Sequence, residues 1–142
     1  MQAGGAVSIT IAIVEDDVII AGYIRDMICD ASAICQVDIL LNSALAREYL
    51  TVNTPLALIL DLHLSDDASS SGGIEVLSSL CQDKKSVAVV VFTGTGDIRT
   101  IVKCYEMCSE FNIRMKFLQK GTSDLLSLCE ALDEVSPKWR RQ

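Results

Sequence analysis

Five short apolar runs alternate along the chain with longer segments in which apolar residues recur about every 3.6 positions. The runs are rich in Ile, Val and Leu, and three of them are almost continuously apolar, as in strands covered on both faces. They predict strands at residues 9–14, 37–41, 56–60, 87–92 and 115–118. This alternation is typical of a parallel sheet wrapped by helices.

The segments between the runs have helical periodicity. Helices are predicted at residues 17–29, 43–50, 73–80, 97–110 and 122–132, with Ser43 and Thr122 as the N-caps of two of them. The predicted order is (βα)5 in one domain over residues 8–134. Residues 1–7 and 135–142 are expected to be flexible flanks, and the second is compatible with a linker into a following effector domain.

One segment interrupts this regular order. Residues 65–73 are small, polar and rich in glycine, which predicts a long, mobile surface loop between the third strand and the third helix. Asp66 and Asp67 lie in this loop, and we interpret them as solvated acids rather than metal ligands.

Composition and charge exclude several classes of protein. Of the 142 residues, 50% are apolar and 22% are charged, which suits a buried core and argues against a membrane protein. The formal net charge of −7 argues against direct nucleic-acid binding, because phosphate backbones are bound by clustered Lys and Arg. Six cysteines without CxxC spacing favour reduced packing residues, and hence a cytoplasmic protein, over disulfides or zinc ligands.

Chemically active side chains follow four of the five predicted strands, namely Glu15, Asp16, Asp61, Thr93 and Lys120. In an open α/β sheet, ligands bind outside the carboxyl ends of the strands, so we expect these groups at one rim. Any one of them alone is explained as a helix cap or a solvated side chain. Together they indicate a site.

The acids Glu15, Asp16 and Asp61 suit a hard divalent cation such as Mg2+, which prefers oxygen ligands and keeps several waters. Without a cation, clustered carboxylates repel one another at neutral pH. With one, the charge of an incoming phosphoryl group is neutralised, and Asp61 can attack phosphorus in line. Lys120 and the Thr93 hydroxyl are suited to contact the transferred oxygens.

Four segments resemble the receiver domains of two-component response regulators, and the resemblance extends over residues 8–134. The segments are ITIAIVEDD (9–17), LALILDL (56–62), VVVFTG (89–94) and FLQKG (117–121). The resemblance implies a flavodoxin-like, doubly wound three-layer sandwich with a five-stranded parallel sheet of order 2-1-3-4-5. It also implies Mg2+ or Mn2+ as cofactor, and a histidine kinase or histidine phosphotransfer protein as phosphodonor.

The resemblance also assigns roles to the candidate residues. Glu15 and Asp16 become the acidic metal pair, and Asp61 becomes both the phosphoacceptor and a metal ligand. Thr93 becomes the switch hydroxyl, and Lys120 the amine that binds the phosphoryl group.

Two further positions follow from the same resemblance. Phe117 takes the place of the switch aromatic, with an ordinary strand aromatic as the alternative interpretation. His63, two residues after the acceptor, is expected to give its backbone carbonyl to the metal and to border the phosphoryl site; the alternative is an exposed loop histidine. The surface formed by residues 97–132 is expected to respond to phosphorylation and to contact a partner or a second copy of the chain.

Two departures separate this chain from most receivers. Ser65 stands where most have Pro, and the glycine that usually follows comes only at Gly72 or Gly73, after extra residues. Most receivers also follow the lysine with Pro, often through a cis bond, whereas this chain has Gly121, which tolerates unusual dihedral angles. Neither change removes a chemical group.

The leading interpretation is a signalling module that catalyses only its own phosphorylation and dephosphorylation, and three other functions stay open. A phosphorylation-independent adaptor is favoured by the atypical loop and disfavoured by the complete set of site residues. A small-molecule aspartyl phosphatase usually needs a second Asp where this chain has His63. A nucleotide-binding protein has little support, because neither GxxxxGK[ST] nor GxGxxG follows the first strand.

Overall fold

The structure is a computed structural model, and it describes residues 9–64, 72–94, 97–121 and 123–140. The strands are β1 (Ile9–Val14), β2 (Cys35–Leu40), β3 (Ala57–Leu60), β4 (Ala88–Thr93) and β5 (Met115–Gln119). The helices are α1 (Val18–Ala31), α2 (Ser43–Val52), α3 (Gly72–Gln82), α4 (Ile98–Glu110) and α5 (Leu125–Val135), followed by a 3-10 helix (Pro137–Arg140). The predicted alternation of strands and helices is confirmed.

The strands form one parallel sheet in the order β2-β1-β3-β4-β5. Ile13 of β1 pairs with Ile39 of β2 on one side and with Ile59 of β3 on the other. The two edge strands are mostly half-buried, whereas the described side chains of the central strand β3 are all buried. The predicted flavodoxin-like order, 2-1-3-4-5, is confirmed.

The helices cover both faces of the sheet, because alternate side chains of a strand point to opposite faces. On one face, Ile13 and Ile59 pack with residues of α1 and α5 such as Ile28. On the other, Leu58 and Leu60 belong to a core that α2, α3 and α4 complete. Burying each such side chain contributes about 1.5–3 kcal/mol to folding. These two cores hold the carboxyl ends of the strands in fixed positions.

The helix starts differ from the predicted caps. The N-cap of α2 is Asn42, whose side chain accepts a hydrogen bond from the Leu45 amide at 2.7 Å, and Ser43 is buried in the first turn. α5 begins at Leu125 behind Asp124, which accepts from the Ser127 amide at 2.9 Å. The Ser43 prediction was therefore wrong by one residue, and Thr122 lies outside the described residues.

The segment between β3 and α3 is only partly described. Residues 65–71, which include Asp66 and Asp67, lie outside the described residues, as do residues 1–8. Gly72 and Gly73, predicted at the end of the loop, are buried in the first turn of α3. Within the described ranges, no helix has both the length and the apolar character needed to cross a membrane.

The C-terminal segment is packed against the domain as far as residue 140. Trp139 of the 3-10 helix is 0% exposed and belongs to the core on the α1 and α5 side. Its carbonyl oxygen accepts hydrogen bonds from Ser32 Oγ at 3.0 Å and Cys35 Sγ at 3.1 Å. The prediction of a flexible flank from residue 135 was therefore wrong for residues 135–140, because burial of a large aromatic side chain anchors the segment.

Candidate functional site

The parallel sheet brings the ends of β1, β3, β4 and β5 to one rim. The backbone ladder continues past β3 and β5: the Asp61 amide donates to the Val14 carbonyl at 3.0 Å, and the Lys120 amide donates to the Thr93 carbonyl at 2.8 Å. The residues that directly follow the apolar runs are thereby held as firmly as the strands themselves. Their side chains meet at the rim, as the sequence predicts.

Asp61 lies at the centre of this rim and is 5% exposed. Its Oδ1 accepts hydrogen bonds from Thr93 Oγ1 at 2.8 Å and from the His63 amide at 3.0 Å. Its Oδ2 accepts from Lys120 Nζ at 3.0 Å. Both carboxylate oxygens are therefore held in a defined orientation, as a positioned nucleophile requires.

Lys120 links two acids. Its Nζ lies 2.5 Å from Glu15 Oε1 as well as 3.0 Å from Asp61 Oδ2. Burial raises the pKa of Glu15 to about 7, with a smaller contribution from the charge of Asp61, against the hydrogen bonds from Lys120 and the Asp17 amide. Burial alone would lower the pKa of Lys120, but its hydrogen bonds to Glu15 and Asp61 prevail and raise it. The amine therefore carries its positive charge at neutral pH.

The donor set fits a divalent cation. One carboxylate oxygen each from Glu15, Asp16 and Asp61 can be chosen so that all three lie within 4.8 Å of one another. Several carboxylate oxygens with room for waters form the environment that Mg2+ prefers. Lys120 supplies one positive charge against these three acids, so a net negative charge remains to attract a cation.

His63 and Phe117, the two positions assigned by resemblance alone, differ in whether they contact the Asp61 carboxylate. His63 is exposed, and its backbone amide contacts the Asp61 carboxylate. Phe117 is half-buried on β5, pairs with Val91 of β4 and packs against the core that faces α2, α3 and α4. The metal-binding carbonyl of His63 and the switching role of Phe117 stay predictions.

The backbone directly after Lys120 has a positive φ angle. Gly121 has φ of +88°, a conformation that glycine adopts readily and that proline, with φ near −65°, does not. The peptide bond between Lys120 and Gly121 is trans. This is the local consequence of having glycine where most receivers have proline.

Two further residues touch the site or its neighbours, although no such contact was predicted for them. Gly73 of α3 lies against the backbone of Asp61 and Leu62. The Tyr105 hydroxyl, on α4, accepts a hydrogen bond from the Phe117 amide at 3.0 Å. Periodicity places Tyr105 on an exposed face of its helix, but no sequence signal shows which strand amide it meets.

Comparisons with known proteins identify the family and the fold of the chain. The response regulator receiver domain family model matches residues 11–128. A search of curated proteins finds no match. Many solved structures are similar. The signal receiver domain of a putative Luxo repressor protein from Vibrio parahaemolyticus has a TM-score of 0.77 at 20% identity, covering 94% of this chain and 93% of that chain.

Two further structures have the same fold at low identity. The receiver domain of the Francisella response regulator 1452 has a TM-score of 0.74 at 13% identity, covering 92% of this chain and 98% of that one. A Burkholderia pseudomallei response regulator, solved with a phosphorylated aspartic acid, calcium ion and citrate, has a TM-score of 0.69 at 19% identity, covering 93% and 69% respectively. Because the family model spans most of its length, the chain belongs to the response regulator receiver domain family.

Proposed function

We propose that this protein is the phosphoacceptor domain of a two-component or phosphorelay system. In this proposal, a histidine kinase or a histidine phosphotransfer protein donates a phosphoryl group to Asp61, and the modification changes an interaction surface. The observation that carries the proposal is the Asp61 carboxylate, held by Thr93 and Lys120 and bordered by Glu15 and Asp16.

Each group at the rim has a definite task in the transfer. An Asp61 oxygen attacks phosphorus, the O–P bond forms, and the P–N bond to the donor imidazole breaks, with the electron pair leaving on nitrogen. Lys120 and Thr93, which bond to the Asp61 carboxylate before transfer, are placed to donate to the phosphoryl oxygens afterwards. The protein catalyses only this modification and its hydrolysis, which fits a signalling domain.

A divalent cation, Mg2+ or Mn2+, completes the proposed site. Glu15, Asp16, Asp61 and the backbone carbonyl of His63 would hold it. When bound, it neutralises negative charge on the carboxylates and on the transferred group. The carboxylate set supports this choice over a soft metal, which would favour thiolate or imidazole ligands.

The surface of residues 97–132 is the proposed output and dimer face. On α4, Ile98, Val102 and Tyr105 are exposed and follow the helical spacing i, i+4 and i+7. An apolar stripe on the outside of a helix suits a protein partner. The net charge of −7 disfavours nucleic acid as a direct partner, and the six free thiols support a cytoplasmic location.

The test is incubation of the protein with acetyl phosphate and MgCl2, followed by intact mass measurement before and after acid treatment. We expect one acid-labile phosphoryl group in the wild type. Asp61→Asn, which preserves shape but removes the nucleophile, should keep its circular dichroism spectrum and gain none. Stoichiometric phosphorylation of Asp61→Asn would overturn the assignment of the acceptor. A folded wild type that gains no phosphoryl group would favour the phosphorylation-independent adaptor.

A further inference from the structure

Gly73, in the first turn of α3, touches the backbone of the residue we propose as phosphoacceptor. Its amide donates to the Leu62 carbonyl at 3.4 Å. A Cβ added at Gly73 would lie 2.5 Å from the Asp61 carbonyl oxygen and 2.9 Å from the Leu62 carbonyl carbon, with the Leu62 Cα closer still. All three neighbours are backbone atoms, so no side chain can turn away to make room.

The backbone that Gly73 meets is itself fixed. The Asp61 amide is bonded to the Val14 carbonyl of β1, and the Leu62 and Leu64 side chains are buried in the core that faces α3. Carbon atoms in contact lie about 3.5–4.0 Å apart. A side chain at residue 73 would therefore push α3 and the Asp61–Leu62 peptide away from each other. The Asp61 carboxylate would move with its peptide, relative to Thr93 and Lys120.

We propose that Gly73 is a positioning residue for Asp61. The absence of a side chain lets α3 rest directly on the Asp61–Leu62 peptide, and this contact fixes the carboxylate against Lys120 and Thr93. The inference rests on the proposed function, because it assigns Gly73 a role in phosphoryl transfer to Asp61.

Gly22 of α1 provides a matched control. It is also a helical glycine, but an added Cβ would meet only the Arg25 Nη2 atom, at 3.8 Å. Gly73→Ala and Gly22→Ala therefore make the same chemical change in the same type of element. They differ in whether the added methyl group collides with the backbone of Asp61 and Leu62.

The experiment compares wild type, Gly73→Ala and Gly22→Ala at a temperature where circular dichroism shows the folded state. The phosphorylation rate is measured over a range of acetyl phosphate concentrations at saturating MgCl2. We expect Gly73→Ala to lower the maximal rate by about tenfold to a hundredfold, because a displacement near 1 Å has effects of that order. Gly22→Ala should stay within about twofold of wild type, since its methyl group moves no atom of the site.

A second measurement needs no phosphoryl transfer. Mg2+ is titrated into each protein, and the amide NMR signals of residues 61–63 and 93 are followed. We expect weaker binding and altered free-state shifts in Gly73→Ala and wild-type behaviour in Gly22→Ala. A purely structural glycine would change the unfolding midpoint and leave both the maximal rate and the Mg2+ affinity of the folded protein unaltered.

The outcomes separate this inference from the proposed function. If the wild type itself gains no phosphoryl group, the proposed function fails. If the wild type is phosphorylated and folded Gly73→Ala matches it in rate and Mg2+ affinity, only the role of Gly73 is overturned. Should Gly73→Ala unfold in buffer, all three proteins are measured in trimethylamine N-oxide, which favours the folded state. Failure to fold even there would overturn positioning in favour of a purely structural role.

Discussion

At the scale of single residues, Lys120 offsets part of the negative charge of the site. Its amine lies between Glu15 and Asp61, which are almost fully buried, while its own side chain is 21% exposed. Two buried carboxylates without a nearby cation are unfavourable, because nothing offsets their loss of hydration or their mutual repulsion. The same amine that is proposed to bind the phosphoryl group thus also stabilises the site before transfer.

Lys120→Ala should lower the free energy of unfolding by about 3 kcal/mol in metal-free buffer, since it leaves buried carboxylates without their partner. MgCl2 should recover most of that loss, because a bound cation compensates the same charges. Urea unfolding with and without MgCl2 measures both effects. The control is Lys116→Ala, which breaks an exposed pair with Glu134 and should cost at most about 1 kcal/mol. Equal losses at the two lysines would contradict the proposed charge balance.

The positions of these residues were predictable, and their contacts were not. Asp61 and Thr93 directly follow predicted strands, and Lys120 comes two residues after one. Parallel strands bring such positions to one rim whatever the details of packing. The bridge from Lys120 to Glu15 depends on how a flexible four-carbon side chain crosses from β5 to β1. Gly73 touches Asp61 because of where α3 lies, which no local pattern encodes.

At the scale of elements, a hydrogen bond from the backbone of β5 to a side chain of α4 connects the two elements, beside the contact of Cys108 Sγ with Met115 Sδ at 3.6 Å. β5 is an edge strand, and the amide of Phe117 points away from β4. Tyr105 of α4 supplies the acceptor for this amide at 3.0 Å. Thr93 ends β4 and pairs with Gln119, two residues after Phe117 on β5. A structural change at Thr93 therefore has a short route through β5 to α4.

Tyr105→Phe should remove the hydrogen bond from the Phe117 amide and leave the aromatic ring in place. We expect faster hydrogen exchange at the Phe117 amide and a loss of about 1 kcal/mol or less in unfolding free energy. With MgCl2 and beryllium fluoride, exchange in the wild type should change most at residues 93–121, and less in the variant. Tyr23→Phe, on the exposed face of α1, is the control. Changes confined to residues 65–73 in the wild type would point to that segment as the output instead.

The boundaries of the strands and helices show how accurately local sequence patterns predict secondary structure. The central strands were predicted nearly to the residue, because strands buried on both faces must be continuously apolar. β2 begins at Cys35, two residues before its predicted start, because Cys35 pairs with Ile9 even though Gln36 breaks the apolar run. The cap of α2 was misplaced by one residue because Ser, Thr, Asn and Asp near a helix start are all competent N-caps.

At the scale of the whole molecule, the C-terminal segment joins α5 to the opposite end of the sheet from Asp61. Trp139 contacts the end of α1 and the start of β2, and its Nε1 donates to Asp133 Oδ1 at 2.7 Å. Arg140 bonds to the same carboxylate. One aromatic residue among basic residues has no periodicity, so the burial of this segment could not be predicted from the sequence.

The Asp133 carboxylate should make this anchor sensitive to acid. The hydrogen bond from Arg140, and then that from Trp139, lower the pKa of Asp133 below its usual 3.8. A lowered folded-state pKa stabilises the fold above the unfolded value, and this contribution is lost as pH falls through the folded value. Asp133→Asn should therefore lower the Tm at pH 7, and the difference from wild type should shrink below about pH 4. A Tm difference that is constant between pH 7 and pH 2.5 would contradict this assignment.

Trp139 is the only tryptophan of the chain, and its indole is fully buried. Its fluorescence therefore reports on a single buried site at the amino-terminal end of the strands. Asp61 follows the carboxyl end of β3, at the opposite end of the sheet. Unfolding would move the indole into water and shift its emission to longer wavelength. Phosphorylation, by contrast, would alter that emission only if a structural change crossed the full length of the sheet. The fluorescence of Trp139 therefore measures how far a structural change at Asp61 extends through the domain.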